Sequence, residues 1–108
     1  MKLRKTEFYA IKELSSELFL THNELSFFPL GDRTKLFDNM SDAMTFIEKN
    51  NDRLVSAYLW DSLEKATGEN RFQINIDMPT YKSLILDIHF KVVKVHLEEV
   101  HPKEDKII

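Results

Sequence analysis
The chain contains no cysteine. That absence removes disulfides, thiolate nucleophiles and cysteine-ligated zinc together, and it fits a reducing cytoplasm as the expected location. Glycine is almost as scarce: with only Gly31 and Gly68, no glycine-rich loop is available to cradle a phosphate. No window approaches the roughly 18 uninterrupted apolar residues of a membrane span. The opening Met1-Lys2-Leu3-Arg4-Lys5 is basic like a signal-peptide start, but Thr6 and Glu7 stand where an apolar core would begin, so export is not expected. An excess of positive charge is also missing. Lys and Arg number 15 against 18 Asp and Glu, a formal charge of −3, and general affinity for nucleic acid comes from neutralising phosphates, so nonspecific DNA coating is disfavoured. A local basic patch stays open, either at Lys2, Arg4, Lys5 and Lys12 or at His89, Lys91, Lys94 and His96.

What is present is enough for a folded unit. With 108 residues, 43% of them hydrophobic and 31% charged, residues 1–108 are expected to form a single globular domain, being too apolar for disorder and of ordinary domain size. Short apolar runs fill the first third: Phe8 to Ile11, Leu18 to Thr21 and Leu25 to Phe28. Leu14-Ser15-Ser16-Glu17 and His22-Asn23-Glu24 separate them with turn chemistry, so the connections predict an antiparallel meander. Pro29 and Gly31-Asp32 end it. A helix over Lys12 to Leu20 is the competing reading. Ser41 to Asn50 predicts the main helix, with Ser41 as N-cap, Asp42 complementing the positive dipole end, Lys49 with Asn50-Asn51 at the other end, and Ala43, Met44, Phe46 and Ile47 as one apolar stripe.

The second half is more ambiguous. Leu54 to Leu63 fits either a helical stripe or a strand face, and the neighbouring run, in which Phe72, Ile74, Ile76 and Met78 alternate with Gln73, Asn75 and Asp77, favours a hairpin across the turn at Lys65 to Asn70. Leu84 to Leu97 also alternates, with a phase slip at Val92-Val93 that predicts a β-bulge in one long bent strand. A helix from Tyr81 is the alternative there. The expected fold class is therefore β-rich α+β, a small mixed or antiparallel β-barrel with one main α-helix at about 41–50.

Chemistry is thin. His89, His96 and His101 are spaced too widely for one metal ion without a fold-back. Asp38, Asp42, Asp52, Asp61 and Asp77 have no sequence argument that gathers two of them in a buried cleft. Neither a catalytic function nor a cofactor nor a metal is expected.

The block FYAIKELSSELFLTHNELSFFPL with TKLFDNMSDAMTFIEKN, within Phe8 to Asn50, resembles the PrgU-like small proteins of enterococcal conjugative plasmids. The resemblance implies a PUA-like barrel, a candidate RNA-binding protein, and a regulatory role that limits production of plasmid-encoded surface adhesins. No functional residue is carried over by it. From the residues themselves, RNA binding needs outward aromatics to stack on unpaired bases and cations to hold phosphates; the candidates are Tyr9, Tyr58, Trp60 and Tyr81, with Arg33, Lys35, Lys91 and Lys94. The alternative is a protein-interaction module acting through an exposed sheet edge or apolar patch, with its own copy in a homodimer as one form. An exposed aromatic set beside a positive groove would favour RNA; an apolar patch in mixed charge would favour protein.

Overall fold
A computed structural model describes residues 5–100, so the candidate cations Lys2 and Arg4 and the histidine His101 lie outside the described residues. Three strands open the chain: β1 (Glu7–Glu13), β2 (Phe19–Leu20) and β3 (Phe27–Phe28). A long helix α1 (Met40–Thr67) follows, then a short helix α2 (Met78–Ile85), strand β4 (Phe90–His96) and a single turn α3 (Leu97–Val100). The strands form one antiparallel sheet in the order β3-β2-β1-β4. It is an open sheet among the described residues, and helix holds more of the chain than strand. The expectation of a β-dominated barrel with one ten-residue helix is corrected on both counts; the α+β class stands.

The meander forms where the apolar runs and turn residues predicted it, but β1 and β2 are zipped only near their hairpin, where Lys12 faces Phe19. Beyond that point the two strands part, and residues 33–37 fill the wedge between them. On the β2 side the His22 amide donates to the Arg33 carbonyl at 3.0 Å and the Lys35 amide to that of Leu20 at 2.9 Å. On the β1 side Tyr9 and Phe37 exchange both amide-to-carbonyl bonds, at 2.9 and 2.8 Å. The wedge thus satisfies backbone groups that the splayed hairpin leaves unpaired.

Alternation along β1 sorts side chains onto two faces. Ile11 joins Leu20, Phe27, Ala43, Leu54 and Ala57 in the main core under α1, with Tyr9, Phe90 and Val92 packed against it. Phe27 sits at its centre, edge-on to Tyr58 at 5.1 Å between ring centroids and stacked on Phe90 at 5.7 Å. The opposite face carries a smaller cluster of Ala10, Phe19, Val95 and Val100, flanked by Leu30, Leu36 and Leu97. Each aromatic of this size, taken fully from water, stabilises the fold by about 2 kcal/mol.

Strand β4 pairs with β1 without interruption, from Glu7 opposite His96 to Glu13 opposite Phe90. The expected bulge at Val92-Val93 is therefore absent. The apolar phase changes there because Phe90 and Val92 serve the α1 face while Val93 and Val95 serve the other. The upstream part of the predicted long strand is helix α2, capped by Asp77, whose side chain accepts from the Thr80 amide at 2.8 Å, with Pro79 in its first turn.

Residues 54–63 are helical, and the predicted hairpin with Phe72 to Met78 does not form. Leu54, Ala57 and Tyr58 share the core-facing stripe of α1. The helix bends at Asn50, which leaves helical geometry at φ −125° and ψ 17°, and whose side-chain amide donates to the Phe46 carbonyl at 2.9 Å. So Asn50-Asn51, expected to end the helix, kinks it instead. It ends at Gly68, in the left-handed region at φ 74°, whose amide donates to the Glu64 carbonyl at 2.8 Å.

The N-cap is Asn39, in extended geometry, with its side-chain oxygen accepting from the Asp42 amide at 2.8 Å and its side-chain amide reaching the Asp42 carboxylate at 3.2 Å. Ser41 lies inside the first turn. Asn39→Ala is expected to lower stability by about 1 kcal/mol and Ser41→Ala by only a few tenths; urea unfolding of the two variants side by side checks this, and equal losses would count against the assigned cap.

Candidate functional site
Tyr9 and Tyr58 are half-buried and packed against the main core. Burial pushes the Tyr58 phenol up, with the Glu13 carboxylate adding to the effect and the Ser16 and Ser15 hydroxyls opposing it. Neither ring lies flat on an open surface. Arg33 stacks its guanidinium over the Phe28 ring at 4.8 Å, and Lys65 lies over the same ring at 4.4 Å. Arg33 also borders a hollow of about 510 Å³ shared with Thr21, His22, Asn23 and Asp32. Lys35 is held by Glu24 at 3.1 Å and covers the Phe37 and Phe46 rings at 5.3 and 5.4 Å. Arg53 reaches the same carboxylate at 3.0 Å. The hydrogen bond from Lys35, reinforced by Arg53, holds the Glu24 carboxyl below the usual carboxylate range. These cations are already engaged inside the fold.

Trp60 and Tyr81 are brought together across a small hollow of about 310 Å³ with Ile74, Ile76 and Met78. Tyr81 lines a second cleft as well, of about 490 Å³, between α1, α2 and the start of β4, with Ile47, Val55, Ile85 and Phe90 as walls and Asp52 and His89 among its lining residues. Lys91 and Lys94 are both exposed. Three residues apart on a strand, they point to opposite faces. Lys94 is 3.7 Å from Glu7 across the β1–β4 pair, whereas Lys91 stands directly opposite Lys12, and among the described residues neither of that like-charged pair has an ion-pair partner. The eight candidates therefore do not converge on one groove.

The larger exposed feature was misassigned by the sequence pattern. Phe72 is 92% exposed, Leu86 73%, Met78 60% and Leu84 38%, and α2 has no buried residue. The alternation of Phe72, Ile74, Ile76 and Met78 predicted a strand burying these residues. The neighbouring polar residues instead close turns: Asn70 accepts from the Phe72 amide at 2.8 Å, and Arg71 clamps Glu64 at 2.9 Å. Signals that identify the arm were in the sequence, namely Gly68 after Lys65 as a helix stop and Asp77-Met78-Pro79 as a helix start.

The two edges of the sheet are treated differently. At β3 the Phe27 amide donates to the Asp61 carboxylate at 3.0 Å and its carbonyl accepts from Lys65, while Asp61 and Lys65 pair at 2.9 Å one helical turn apart. At β4 the Leu14 amide bonds to the His89 carbonyl and the Leu97 amide to the Thr6 carbonyl. The alternation between those two bonds turns the backbone groups of Phe90, Val92, Lys94 and His96 away from β1. The His96 amide donates to the Glu99 carboxylate at 2.7 Å. Those of Phe90, Val92 and Lys94 have no acceptor among the described residues.

No group of three potential metal ligands gathers among the described residues, and no helix there is long and apolar enough to cross a membrane. No protein-family model, curated protein or solved structure matches this chain, so the site is read from its own geometry.

Glu13, at the end of β1, is a fully shielded carboxylate. Burial alone would raise its pKa. The Ser16 amide at 2.8 Å and the Ser15 hydroxyl at 2.8 Å outweigh that and hold it below the usual glutamate range. A depressed folded value means that its stabilisation is complete above the unfolded pKa, about 4.3, and is lost as pH falls through the folded value. Glu13→Ala is expected to cost about 2 kcal/mol at pH 7 and less as the solution is acidified; urea midpoints of both proteins across that range check it, and a pH-independent difference would count against the charged turn.

Proposed function
We propose that this protein is a non-catalytic interaction module that acts by holding another protein, in the reducing cytoplasm that a cysteine-free sequence fits. The observation that carries the reading is the unburied apolar surface of residues 72–86: Phe72, Met78, Leu84 and Leu86 stand out on an arm whose helix buries nothing. Exposed apolar side chains within one short segment, beside an apolar cleft, are the usual signature of a protein-binding surface. Charges of both signs surround it, with Lys82, Asp87 and the Arg71–Glu64 pair nearby. Stacking on bases is less well supported, since Tyr9 and Tyr58 are packed into the core and Phe28 is already flanked by two cations.

RNA binding with a regulatory outcome is the second reading. Its support is the Lys12–Lys91 pair, because like charges placed opposite one another are unfavourable without an anion, together with the resemblance to the PrgU-like proteins. On that reading the protein binds an RNA and limits production of plasmid-encoded surface adhesins.

One experiment separates the two. A photo-crosslinking residue at Leu86, activated in cells, is expected to yield a defined protein adduct and no enriched RNA. A variant combining Phe72→Ser and Leu84→Ser should reduce that adduct at least tenfold, while its unfolding midpoint stays near wild type because both side chains are exposed. Recovery of RNA in place of protein, or an adduct unaffected by the double variant, overturns the reading.

A further inference from the structure
The open edge of β4 and the cleft beside it are contiguous, because Phe90 is both the first residue of the strand and a wall of the cleft. We infer that β4 receives an extended, acidic segment of the partner as an added strand, and that a large apolar residue of that segment enters the cleft. The inference rests on the protein-binding reading and names the chemistry of the partner.

The backbone supplies the first argument. Phe90, Val92 and Lys94 present outward amides and carbonyls at every second residue, which is the template for strand addition. The span from Phe90 to Lys94 is roughly 13 Å at 3.3 Å per residue, enough for a five-residue strand. The opposite edge of the same sheet is closed by Asp61 and Lys65, so among the described residues the fold leaves one edge for a partner and protects the other.

Charge supplies the second. His89, Lys91, Lys94 and His96 lie along this edge, Lys91 has Lys12 beside it on its face, and the carboxylates that face the strand are Glu7, at 3.7 Å from Lys94 and 4.0 Å from His96, Glu99, and Glu13, which stands opposite Phe90 but is buried and engaged by Ser15 and Ser16. A second copy paired along this edge would add the same lysines and histidines to it, and gathering like charges is unfavourable. Acidic side chains on both faces of an added strand would meet Lys94 on one side and Lys91 with Lys12 on the other. The chain itself shows the edge accepting a carboxylate: Glu99 takes the His96 amide at 2.7 Å. In the cleft, Ile47, Val55, Ile85 and Phe90 offer an apolar wall, and strand addition commonly gains specificity from such a side-chain pocket.

The test has two measurements. Hydrogen exchange on the full chain should show the Val93 and Val95 amides protected and those of Val92 and Lys94 exchanging freely. A displayed library of randomised dodecapeptides should then enrich sequences with alternating Asp or Glu and one large apolar residue, and the enriched peptide should slow Val92 and Lys94 exchange at least tenfold. Methylating alternate peptide amides should weaken binding at least tenfold, and a variant with Lys91→Glu and Lys94→Glu, folded by circular dichroism, should no longer enrich acidic sequences. The inference is overturned by protection of Val92 and Lys94 in the free monomer, by a concentration-dependent dimer that protects them, by enrichment of basic or of no sequences, or by tolerance of the methylated peptide. If it fails while the Leu86 crosslinker still captures a protein, the interaction reading survives; capture of RNA alone removes both.

Discussion

A four-stranded sheet with two edges must dispose of the backbone groups that no neighbouring strand can pair, and much of this chain's architecture answers that demand. At β3 the answer comes from 34 residues away in sequence, where Asp61 donates no proton but accepts one from the Phe27 amide, and Lys65 supplies the complementary donor to the same peptide. The pair lies on the core-facing stripe of α1 where the stripe would otherwise continue apolar. A helix that had ended at Asn50 could not have reached this edge, so the length of α1 and the protection of β3 are one requirement.

The same economy explains why so many cations are unavailable to a ligand. Glu24, itself in the left-handed region at φ 65°, gathers Lys35 and Arg53 over the aromatic pair Phe37 and Phe46. This knot fastens the first half of α1 to the wedge of residues 33–37. Desolvated aromatic faces gain from an adjacent cation, and the carboxylate balances the charge locally. Lys12 and Lys91 stand outside any such arrangement among the described residues, which is why they, and not Lys35, are the residues to consider for an anionic partner.

The strands were legible because apolar runs bounded by Ser, Asn, Pro and Gly have few other ways to fold. Phe8 to Ile11 lies within β1, and Leu18 to Thr21 and Leu25 to Phe28 contain β2 and β3, each only two residues long. The second half was misread for two physical reasons. At Leu54 to Leu63 both periods fit, and the deciding residues are Asp61 inside the run and Lys65 and Gly68 beyond it, none of which is apolar. At Phe72 to Met78 alternation recorded a turn-rich, exposed segment with no strand to pair with. Trp60 and Tyr81 look like isolated aromatics in the sequence, because their juxtaposition depends on helices α1 and α2, whose residues alternate like strands. Lys91 and Lys94 were grouped by sequence proximity, although a strand sends residues of odd spacing to opposite faces. The apolar arm went unseen because its residues had been assigned to the core.

The pairing of β1 with β4 joins the first and last strands described, and it carries a consequence for how the protein acquires its shape. Ala10 faces Val93 across nearly the whole chain, so the inner position of β1 is created only when the last strand arrives. A growing chain on the ribosome can close the hairpins and start α1, but Phe8, Ala10 and Lys12 keep one unpaired flank until β4 has been made. Contacts of such high sequence separation slow folding relative to a local helical bundle of this size. During that interval the half-built sheet has a vacant position beside its central strand, a place where a chaperone or a neighbouring nascent chain can bind before the protein's own β4 does.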